Sequence, residues 1–333
     1  MIKPAYSILF ASMLILSCTP KKTSEEISNK EMVAAEDADF MKDWFLATGD
    51  WNNDPQLYVR EFGTGKDTII LLHGGWGGDH EGMIEMVGDL KDEYKFFTYE
   101  QRGSLRSPFP DSLITFQNHI QDLERLRKEL DLNTMTVVGH SMGTVLASAY
   151  ASQYSSRIKK LVLVSPVDLK NPYPEEDQVL YKASYAKYES FSIRPEVEAE
   201  YRKNNLLGQD SPLTSKEQTI KDRINFASMM LYDVSKWNKL SNGRALFKGN
   251  VFTLTQKTYP EEGWNYIEEF KKQSYPISII IGDHDRFDFG NPITQKWSNE
   301  VPRTTFVSLK NAGHMIWIDQ PEELTKTLRA HLQ

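Results

Sequence analysis

The sequence predicts an α/β fold in which a mostly parallel central sheet is flanked by helices. Short runs of consecutive apolar residues recur along the chain, as is typical of parallel strands buried on both faces. Segments with helical spacing of apolar residues lie between these runs. The alternation of the two patterns indicates βα units, and a long polar stretch before the last strands indicates that the sheet is interrupted by an insertion.

Seven apolar runs are predicted as strands. They cover residues 57–62, 68–72, 95–99, 135–138, 161–164, 277–281 and 305–309. Apolar residues at steps of three and four from Ile120 to Leu130 predict an amphipathic helix before the fourth run. Residues 142–154 are rich in small side chains and predict a helix packed closely on the sheet. A last helix is predicted to begin at Pro321, since proline favours the first turn of a helix.

Residues 167–274 are more polar and predict helices without a strong strand. The expected organisation is therefore a core segment 40–166, a helical cap 167–274 and a second core segment 275–333. Two interpretations of the cap's side chains stay open: a pocket lining with an ammonium-binding group, or cap core and solvated face. The side chains concerned are Tyr181, Tyr185, Tyr188, Phe191, Met229, Met230, Tyr232, Trp237, Glu189, Glu196, Glu198 and Glu200.

Composition and charge exclude several classes of protein. The 333 residues are 40% hydrophobic and 26% charged, which excludes a collagenous or wholly disordered chain. A net charge of −7 without long like-charge runs gives no attraction to nucleic acid. The only cysteine, Cys18, allows neither an internal disulfide nor a thiolate metal site.

The N-terminus is predicted to be a targeting segment. Residues 1–17 combine a short basic start with an apolar stretch, as secretory signal peptides do. The Ile15-Leu16-Ser17-Cys18 ending resembles a bacterial lipoprotein signal, which implies cleavage before Cys18 and acylation of that residue. The resemblance implies a membrane-anchored protein of the bacterial cell envelope, with residues 18–39 as a polar tether. A plain signal peptide and a cytosolic chain with an apolar start are the alternatives.

A nucleophilic serine is predicted at Ser141, within Gly139-His-Ser-Met-Gly143. A serine on a tight strand-to-helix turn needs small neighbours two residues away on either side, and both are glycine here. The predicted strand before the motif and the predicted helix after it supply that context. A serine hydroxyl also needs a base to accept its proton, commonly a histidine oriented by a carboxylate.

His314 is the expected base among seven histidines. It follows the last predicted strand directly, so it reaches the sheet edge at which Ser141 emerges. His140 adjoins Ser141, and its position predicts a side chain that points elsewhere. The loop after strand 277–281 offers Asp283, Asp285 and Asp288 as the orienting carboxylate.

This arrangement resembles the α/β-hydrolase superfamily, whose members carry nucleophile, acid and histidine in that chain order. The superfamily's acid usually ends a Gly-x-x-Asp turn, which implies Asp285, with Asp283 as the alternative. Some relatives carry the acid one strand earlier, which leaves Asp168 as a third candidate. The resemblance implies two oxyanion donors, the Gly75 N–H in the glycine loop 73–78 and the Met142 N–H.

Neither a metal nor a cofactor is expected. His73, Asp79 and His80 lack the additional histidines of a metallohydrolase motif. The glycine loop that contains His73 lacks the Gly-Lys-Ser/Thr continuation of a phosphate-binding loop.

Three segments resemble the proline iminopeptidase branch: the His73-Gly-Gly loop, Tyr99-Glu-Gln-Arg-Gly-Ser104 and Asp122-Leu-Glu-Arg-Leu-Arg127. The chain departs from that branch at Glu100, Leu105, His140 and Met142, and residues 167–274 contain no Trp-x-x-Trp-Glu segment.

We therefore expect a serine hydrolase that forms an acyl-enzyme on an ester or amide of a small molecule or short peptide, with peptides that begin with proline as one candidate class. A carboxylesterase or lipase-type enzyme is one alternative. A non-catalytic ligand-binding protein on the same fold is the other, because a fold alone does not confer activity.

Overall fold

The computed structural model describes residues 41–208, 211–240 and 247–333. The expected signal peptide 1–17, Cys18 and the tether 18–39 lie outside these residues, so their prediction is untested. Within the described ranges, no helix combines the length and the apolar character that crossing a membrane requires.

The central sheet has eight strands in the order β1-β2-β4-β3-β5-β6-β9-β10. Their bounds are β1 Met41–Ala47, β2 Gln56–Phe62, β3 Asp67–Leu72, β4 Tyr94–Tyr99, β5 Met135–His140, β6 Ile158–Val164, β9 Ile277–Gly282 and β10 Thr304–Leu309. The strands from β4 to β10 pair in parallel, whereas β2 is antiparallel to both β1 and β4. The predicted α/β class and all seven predicted strands are confirmed, and β1 is an additional edge strand.

Helices connect the strands of the sheet. They are α1 Glu81–Val87, α2 Phe116–Glu129, α3 Met142–Gln153, α9 Pro292–Glu300, the short α10 Ile316–Asp319 and α11 Pro321–Leu332. The three helices predicted from spacing, small residues and Pro321 correspond to α2, α3 and α11. The Thr115 side chain accepts the Asn118 N–H and caps α2, which fixes where that helix begins.

Alternation along the strands divides the core between the two faces of the sheet. Ile70 and Leu72 of β3 belong to the apolar cluster that includes α2 and α3, while Ile69 and Leu71 belong to the cluster with α1 and α11. Successive strand side chains point to opposite faces, and both faces are covered. Burial on both faces explains why the strands are runs of consecutive apolar residues.

The residues between β6 and β9 are mainly helical. They form β7 Lys170–Asn171, α4 Glu175–Ser192, α5 Pro195–Lys203, α6 Ser215–Met230, a 3-10 helix Val234–Lys239, α7 Gly249–Gln256, β8 Trp264–Asn265 and α8 Tyr266–Lys271. The two short strands β7 and β8 pair with each other, and this two-residue ribbon was not predicted within the mostly helical insertion.

The insertion contains two parts that pack differently. Residues of α5, α6 and the 3-10 helix share a buried cluster with α10, including Val197, Ile224 and Ile316. Residues of α7 and α8 join the cluster around α2 and α3 instead, including Val251 and Ile267. We call α4, α5, α6 and the 3-10 helix the cap. The packing of α7 and α8 makes them part of the layer that supports the sheet.

The parallel strands bring several loops to one edge of the sheet. The carboxyl ends of β3, β5, β6, β9 and β10 meet there, because parallel neighbours end on the same side. The glycine loop that begins at His73 follows β3, Ser141 follows β5, and His314 lies in the loop after β10. Ligands of open α/β sheets bind at this edge, so it is the natural position for a site.

Candidate active site

Ser141 lies on a strained turn between β5 and α3. Its backbone angles are φ 52° and ψ −125°, a conformation that side-chain-bearing residues rarely adopt. A Cβ on Gly139 would lie 2.5 Å from the Gly143 carbonyl oxygen, and one on Gly143 would lie 2.2 Å from the Leu72 carbonyl oxygen. Both flanking glycines are therefore required by the close approach of backbone. Such a turn holds a serine clear of the strand and at the start of a helix.

His314 and Asp285 are in direct contact. The His314 Nδ1 atom donates to Asp285 Oδ2 at 2.8 Å, and both side chains are buried. Because Nδ1 carries the proton in this contact, Nε2 is left with the lone pair that a general base uses. The Phe287 ring packs against the imidazole with centroids 4.9 Å apart, which restricts its orientation further.

Asp285 is held in its ionised form. Burial alone raises its pKa, but the interaction with His314 and the Phe287 N–H, which donates to Oδ1 at 2.9 Å, outweigh that effect. The pKa of Asp285 therefore lies below its ordinary value. A buried anion at this point would stabilise a positive charge on the His314 imidazole.

The other candidate carboxylates contact different partners. Asp283 Oδ1 lies 2.6 Å from His284 Nδ1, and Asp168 Oδ1 accepts the Tyr173 hydroxyl at 3.2 Å. Asp288 accepts two backbone N–H groups of the first turn of α9. The structure thus joins His314 to Asp285 and assigns the three others to structural contacts.

His140 supports the loop that carries His314, a role that the sequence did not indicate. Its Nε2 donates to the His314 carbonyl oxygen at 3.1 Å, and the two rings are 4.8 Å apart. It ends β5 with its ring directed at the neighbouring loop, where Trp317 also packs on it. Burial lowers the pKa of His140 to about 3, so the ring stays neutral and retains a single N–H.

Ser165 supports the same carbonyl group and is not among the sequence-predicted residues. It directly follows β6 with φ 46°, and its hydroxyl donates to the His314 carbonyl oxygen at 2.9 Å. Two side chains from two neighbouring strand ends therefore fix the backbone of His314. A polar residue immediately after a buried strand was the sequence feature that could have indicated it.

The glycine loop passes close to Ser141. A Cβ on Gly74 would lie 2.8 Å from the Ser141 Cβ and 3.0 Å from His140 Nδ1. Gly75 has φ 67°, which permits the loop to turn there. Met142 is the first residue of α3, and the first N–H groups of a helix have no acceptor within the helix. The two predicted oxyanion donors thus belong to segments that flank the nucleophile.

The Tyr99–Ser104 segment holds that loop in place. The Gln101 N–H donates to His73 Nε2 at 3.0 Å, and the Gln101 side chain donates to the His73 carbonyl oxygen at 2.8 Å. His80 Nδ1 contacts Glu100 Oε1 at 3.1 Å. These contacts engage the histidines considered as metal ligands. Over the described ranges, no group of three or more His, Cys, Asp or Glu side chains could hold a metal ion.

A buried ion pair links the two segments 99–104 and 122–127. Arg102 donates to both carboxylate oxygens of Asp122, at 2.7 and 2.6 Å. Arg102 also donates to the Leu113 carbonyl oxygen at 2.7 Å and lies over the Phe109 ring. These contacts support the loop after β4 and engage all three nitrogens of the guanidinium.

The cap's glutamates do not form an ammonium-binding group beside the triad. Glu189 and Glu196 are exposed, Glu198 pairs with Arg202, and Glu200 accepts the Trp237 indole N–H at 2.9 Å. Some of the cap's aromatic residues pack within the cap. Two others, Phe191 and Tyr232, pack on His284 in the loop that carries Asp285. Of the two open interpretations, the contacts favour the packing role for the glutamates.

Comparison with known proteins gives one family. The model of the family described as alpha/beta hydrolase fold matches residues 67–321. A proline iminopeptidase from Elizabethkingia meningoseptica is 30% identical over 283 residues, which cover 80% of this chain and 90% of the relative. A proline iminopeptidase from Flavobacterium johnsoniae is 26% identical over 287 residues, with the same coverage.

Solved structures share the fold. A proline iminopeptidase-related protein from Thermus thermophilus superposes with a TM-score of 0.63 at 20% identity, over 88% of this chain and 97% of that one. A thermophilic esterase from Thermogutta terrifontis gives a TM-score of 0.59 at 20% identity, over 87% and 98% of the two chains.

Proposed function

The chain belongs to the α/β-hydrolase family, in its proline iminopeptidase-like branch, and on this basis we propose that it hydrolyses an ester or amide bond through a Ser141–His314–Asp285 triad and an acyl-enzyme. The observation that carries the proposal is the buried 2.8 Å contact between His314 and Asp285 at the sheet edge where the strained Ser141 turn begins. Strain maintained at one serine is characteristic of a functional turn.

The proposed chemistry begins with a proton transfer. The Ser141 Oγ attacks the substrate carbonyl carbon while His314 Nε2 accepts the hydroxyl proton. Asp285 stays ionised and stabilises the imidazolium. The Gly75 and Met142 N–H groups donate to the oxyanion of the tetrahedral intermediate.

Collapse of the intermediate releases the alcohol or amine, which takes the proton from His314. Water then attacks the acyl-enzyme, and His314 accepts one of its protons and returns a proton to Ser141 Oγ. The reaction consumes one water and needs no cofactor.

Two substrate classes follow from different observations. The proline iminopeptidases among the relatives support short peptides with N-terminal proline. Glu198 pairs with Arg202 and Glu200 accepts the Trp237 indole N–H, so two candidate partners for a free ammonium group are already engaged, which favours small carboxylic esters.

Turnover of matched substrates tests the proposal. We expect wild type to hydrolyse proline β-naphthylamide, p-nitrophenyl butyrate or both, and the Ser141→Ala variant to hydrolyse neither. Equal rates for wild type and variant contradict the triad. Absence of turnover of every ester and amide tried, with binding retained, supports the non-catalytic alternative.

We also propose that Cys18 is acylated and anchors the protein to a membrane of the bacterial cell envelope. The proposal is supported by the Ile15-Leu16-Ser17-Cys18 ending and the apolar stretch before it. Mass spectrometry of the N-terminal peptide from a bacterial expression host should find an acylated Cys18. An unmodified Cys18 or a different N-terminus contradicts the anchor.

A further inference from the structure

A cation lies at the junction of the cap and the loop that carries the triad acid. Arg286 follows Asp285, and its side chain is half-buried. Its Nη1 atom is 3.7 Å from the Met229 sulfur at the end of α6, and its guanidinium carbon is 5.5 Å from the centre of the Tyr188 ring in α4. The guanidinium is therefore held between two cap helices and the catalytic edge of the sheet.

Arg286 is near the proposed base. Its guanidinium carbon lies 4.9 Å from the centre of the Phe287 ring, and that ring lies 4.9 Å from the centre of the His314 imidazole. The guanidinium carbon is thus within about 10 Å of the imidazole centre. A small substrate whose carbonyl group is bound beside His314 spans this distance.

No carboxylate among the described residues pairs with the Arg286 guanidinium. In the part of the chain that the structure describes, no Asp or Glu oxygen lies within 4.0 Å of its nitrogens. The thioether of Met229 is a weak acceptor, and a guanidinium has five N–H donors. A half-buried arginine with free donors is well suited to a planar carboxylate, which it binds through two parallel hydrogen bonds.

Nearby carboxylates do not fill this role. Asp285 contacts His314, Asp283 contacts His284, and Asp168 accepts the Tyr173 hydroxyl. The positive charge of Arg286 therefore has no described carboxylate partner, and it attracts a carboxylate and repels a free amine.

We propose that Arg286 binds a carboxylate of the substrate, so that the enzyme prefers anionic esters or amides over neutral and cationic ones. The inference rests on the proposed hydrolase function and specifies its substrate class. In this account, the cap contributes Tyr188 and Met229 as the walls that hold the guanidinium in position.

A charge series of esters tests the preference without a mutation. The p-nitrophenyl esters of adipic acid monoamide, of adipic acid with a free carboxylate and of 6-aminohexanoic acid differ mainly at the far end of the acyl chain. A second pair, 4-acetoxybenzoate and 4-acetoxybenzamide, carries the charge on the leaving group. We expect wild type to favour the carboxylate member of at least one set by about tenfold to a hundredfold in kcat/KM. The preference should arise from a lower KM for the carboxylate substrate.

Variants locate the effect. The Arg286→Gln variant should abolish the ratio between carboxylate and amide substrates, and Arg286→Lys should retain part of it because the charge remains. Arg202→Gln is the matched control, since Arg202 is an exposed cap arginine paired with Glu198. It should leave the ratio unchanged. Thermal melting of each variant shows whether a lost carboxylate preference reflects an unfolded protein. If Arg286→Gln is unfolded, the substrate preferences of Arg286→Lys and of wild type decide whether Arg286 binds the carboxylate.

The outcomes separate the two levels of the proposal. Turnover of neutral esters with no carboxylate preference in either set, or a preference for the ammonium ester, overturns the role of Arg286 and leaves the hydrolase proposal standing. A carboxylate preference that persists in Arg286→Gln also overturns it. No turnover of any ester, together with no reaction of Ser141 with a fluorophosphonate, overturns both.

Discussion

The Asp319 carboxylate accepts the backbone N–H of Gly313, the residue before His314, at 2.8 Å. The same carboxylate accepts the backbone N–H groups of Tyr232 and Asp233, at 2.7 and 3.1 Å, at the end of the cap helix α6. Met315, on the other side of His314, donates its N–H to the Met230 carbonyl oxygen. One buried side chain therefore connects the cap to the loop of the proposed base.

Replacement of Asp319 by alanine should impair both stability and activity. One buried and two partly buried N–H groups lose their acceptor, and we expect the free energy of unfolding to fall by about 3 kcal/mol. We also expect kcat to fall, because the His314 loop and the cap lose their common anchor. Urea unfolding and turnover of p-nitrophenyl butyrate measure the two effects.

The control for Asp319 is Glu322→Ala. Glu322 is an exposed residue in the first turn of α11, and its replacement should change the free energy of unfolding by less than about 1 kcal/mol. Equal effects of the two substitutions contradict the anchoring role.

Replacement of Asp285 by asparagine should separate the triad acid from its neighbour Asp283. Asparagine removes the charge and favours the wrong tautomer of His314, so kcat/KM should fall by about a thousandfold to ten-thousandfold. Asp283→Asn alters contacts with His284, Lys310 and the Ala312 N–H but none with the His314 ring, and should keep kcat/KM close to wild type. Steady-state kinetics of both variants measure these effects. A larger loss of kcat/KM in Asp283→Asn than in Asp285→Asn would assign the acid to Asp283.

A methyl group on Gly74 should block the site. The new Cβ would lie 2.8 Å from the Ser141 Cβ, so the glycine loop or the nucleophile must move. A displacement of this size should lower kcat/KM by roughly a hundredfold. Gly88→Ala is the matched control, because a Cβ there meets nothing within 4 Å. Unchanged activity in Gly74→Ala contradicts the close passage of the loop over Ser141.

Asp288 should make stability depend on pH in the mildly acidic range. Burial raises its pKa to about 6 in the folded protein, above the value of 3.8 for a free side chain. The folded state therefore binds the proton more tightly, so this group's stabilising contribution is full below about pH 4 and is lost as the pH rises through 6. Because the folded and unfolded pKa values of Asp288 differ by roughly 2, the contribution is about 3 kcal/mol.

The Asp288→Asn variant isolates that contribution. Its free energy of unfolding, measured with urea between pH 4 and pH 7, should lack the decrease with rising pH that Asp288 gives wild type. The difference between the two proteins should change mainly between pH 4 and pH 6. Parallel stability curves for the two proteins contradict the raised pKa.

The parallel part of the fold was accessible from the sequence because burial on both faces leaves an unmistakable pattern. Residues of β5 and β9 are buried along their whole length, and β9 is apolar except for Ser278. The edge strand β1 has a single neighbour, and its Lys42, Asp43 and Phe45 are exposed. Without a second covering layer, β1 carries no continuous apolar run to recognise.

The residues of the site could be predicted only in part from the sequence. Ser141, Asp285 and His314 lie in local motifs beside strand ends, so motif and chain order suffice to nominate them. The hydrogen bond from Ser165 to His314 joins residues 149 positions apart, and the bond from Gly313 to Asp319 depends on the loop's conformation. The position of Arg286 beneath the cap likewise depends on how α4 and α6 pack, which the local sequence does not specify.

Identification of the residue that reacts with a fluorophosphonate tests the central claim most directly. The probe forms a covalent bond with an activated serine, and peptide mass spectrometry locates the adduct. We expect one adduct, on Ser141, in wild type, a much slower reaction in Asp285→Asn, and none in Ser141→Ala. An adduct on another residue, or equal labelling of Ser141→Ala, would contradict the proposed Ser141–His314–Asp285 mechanism.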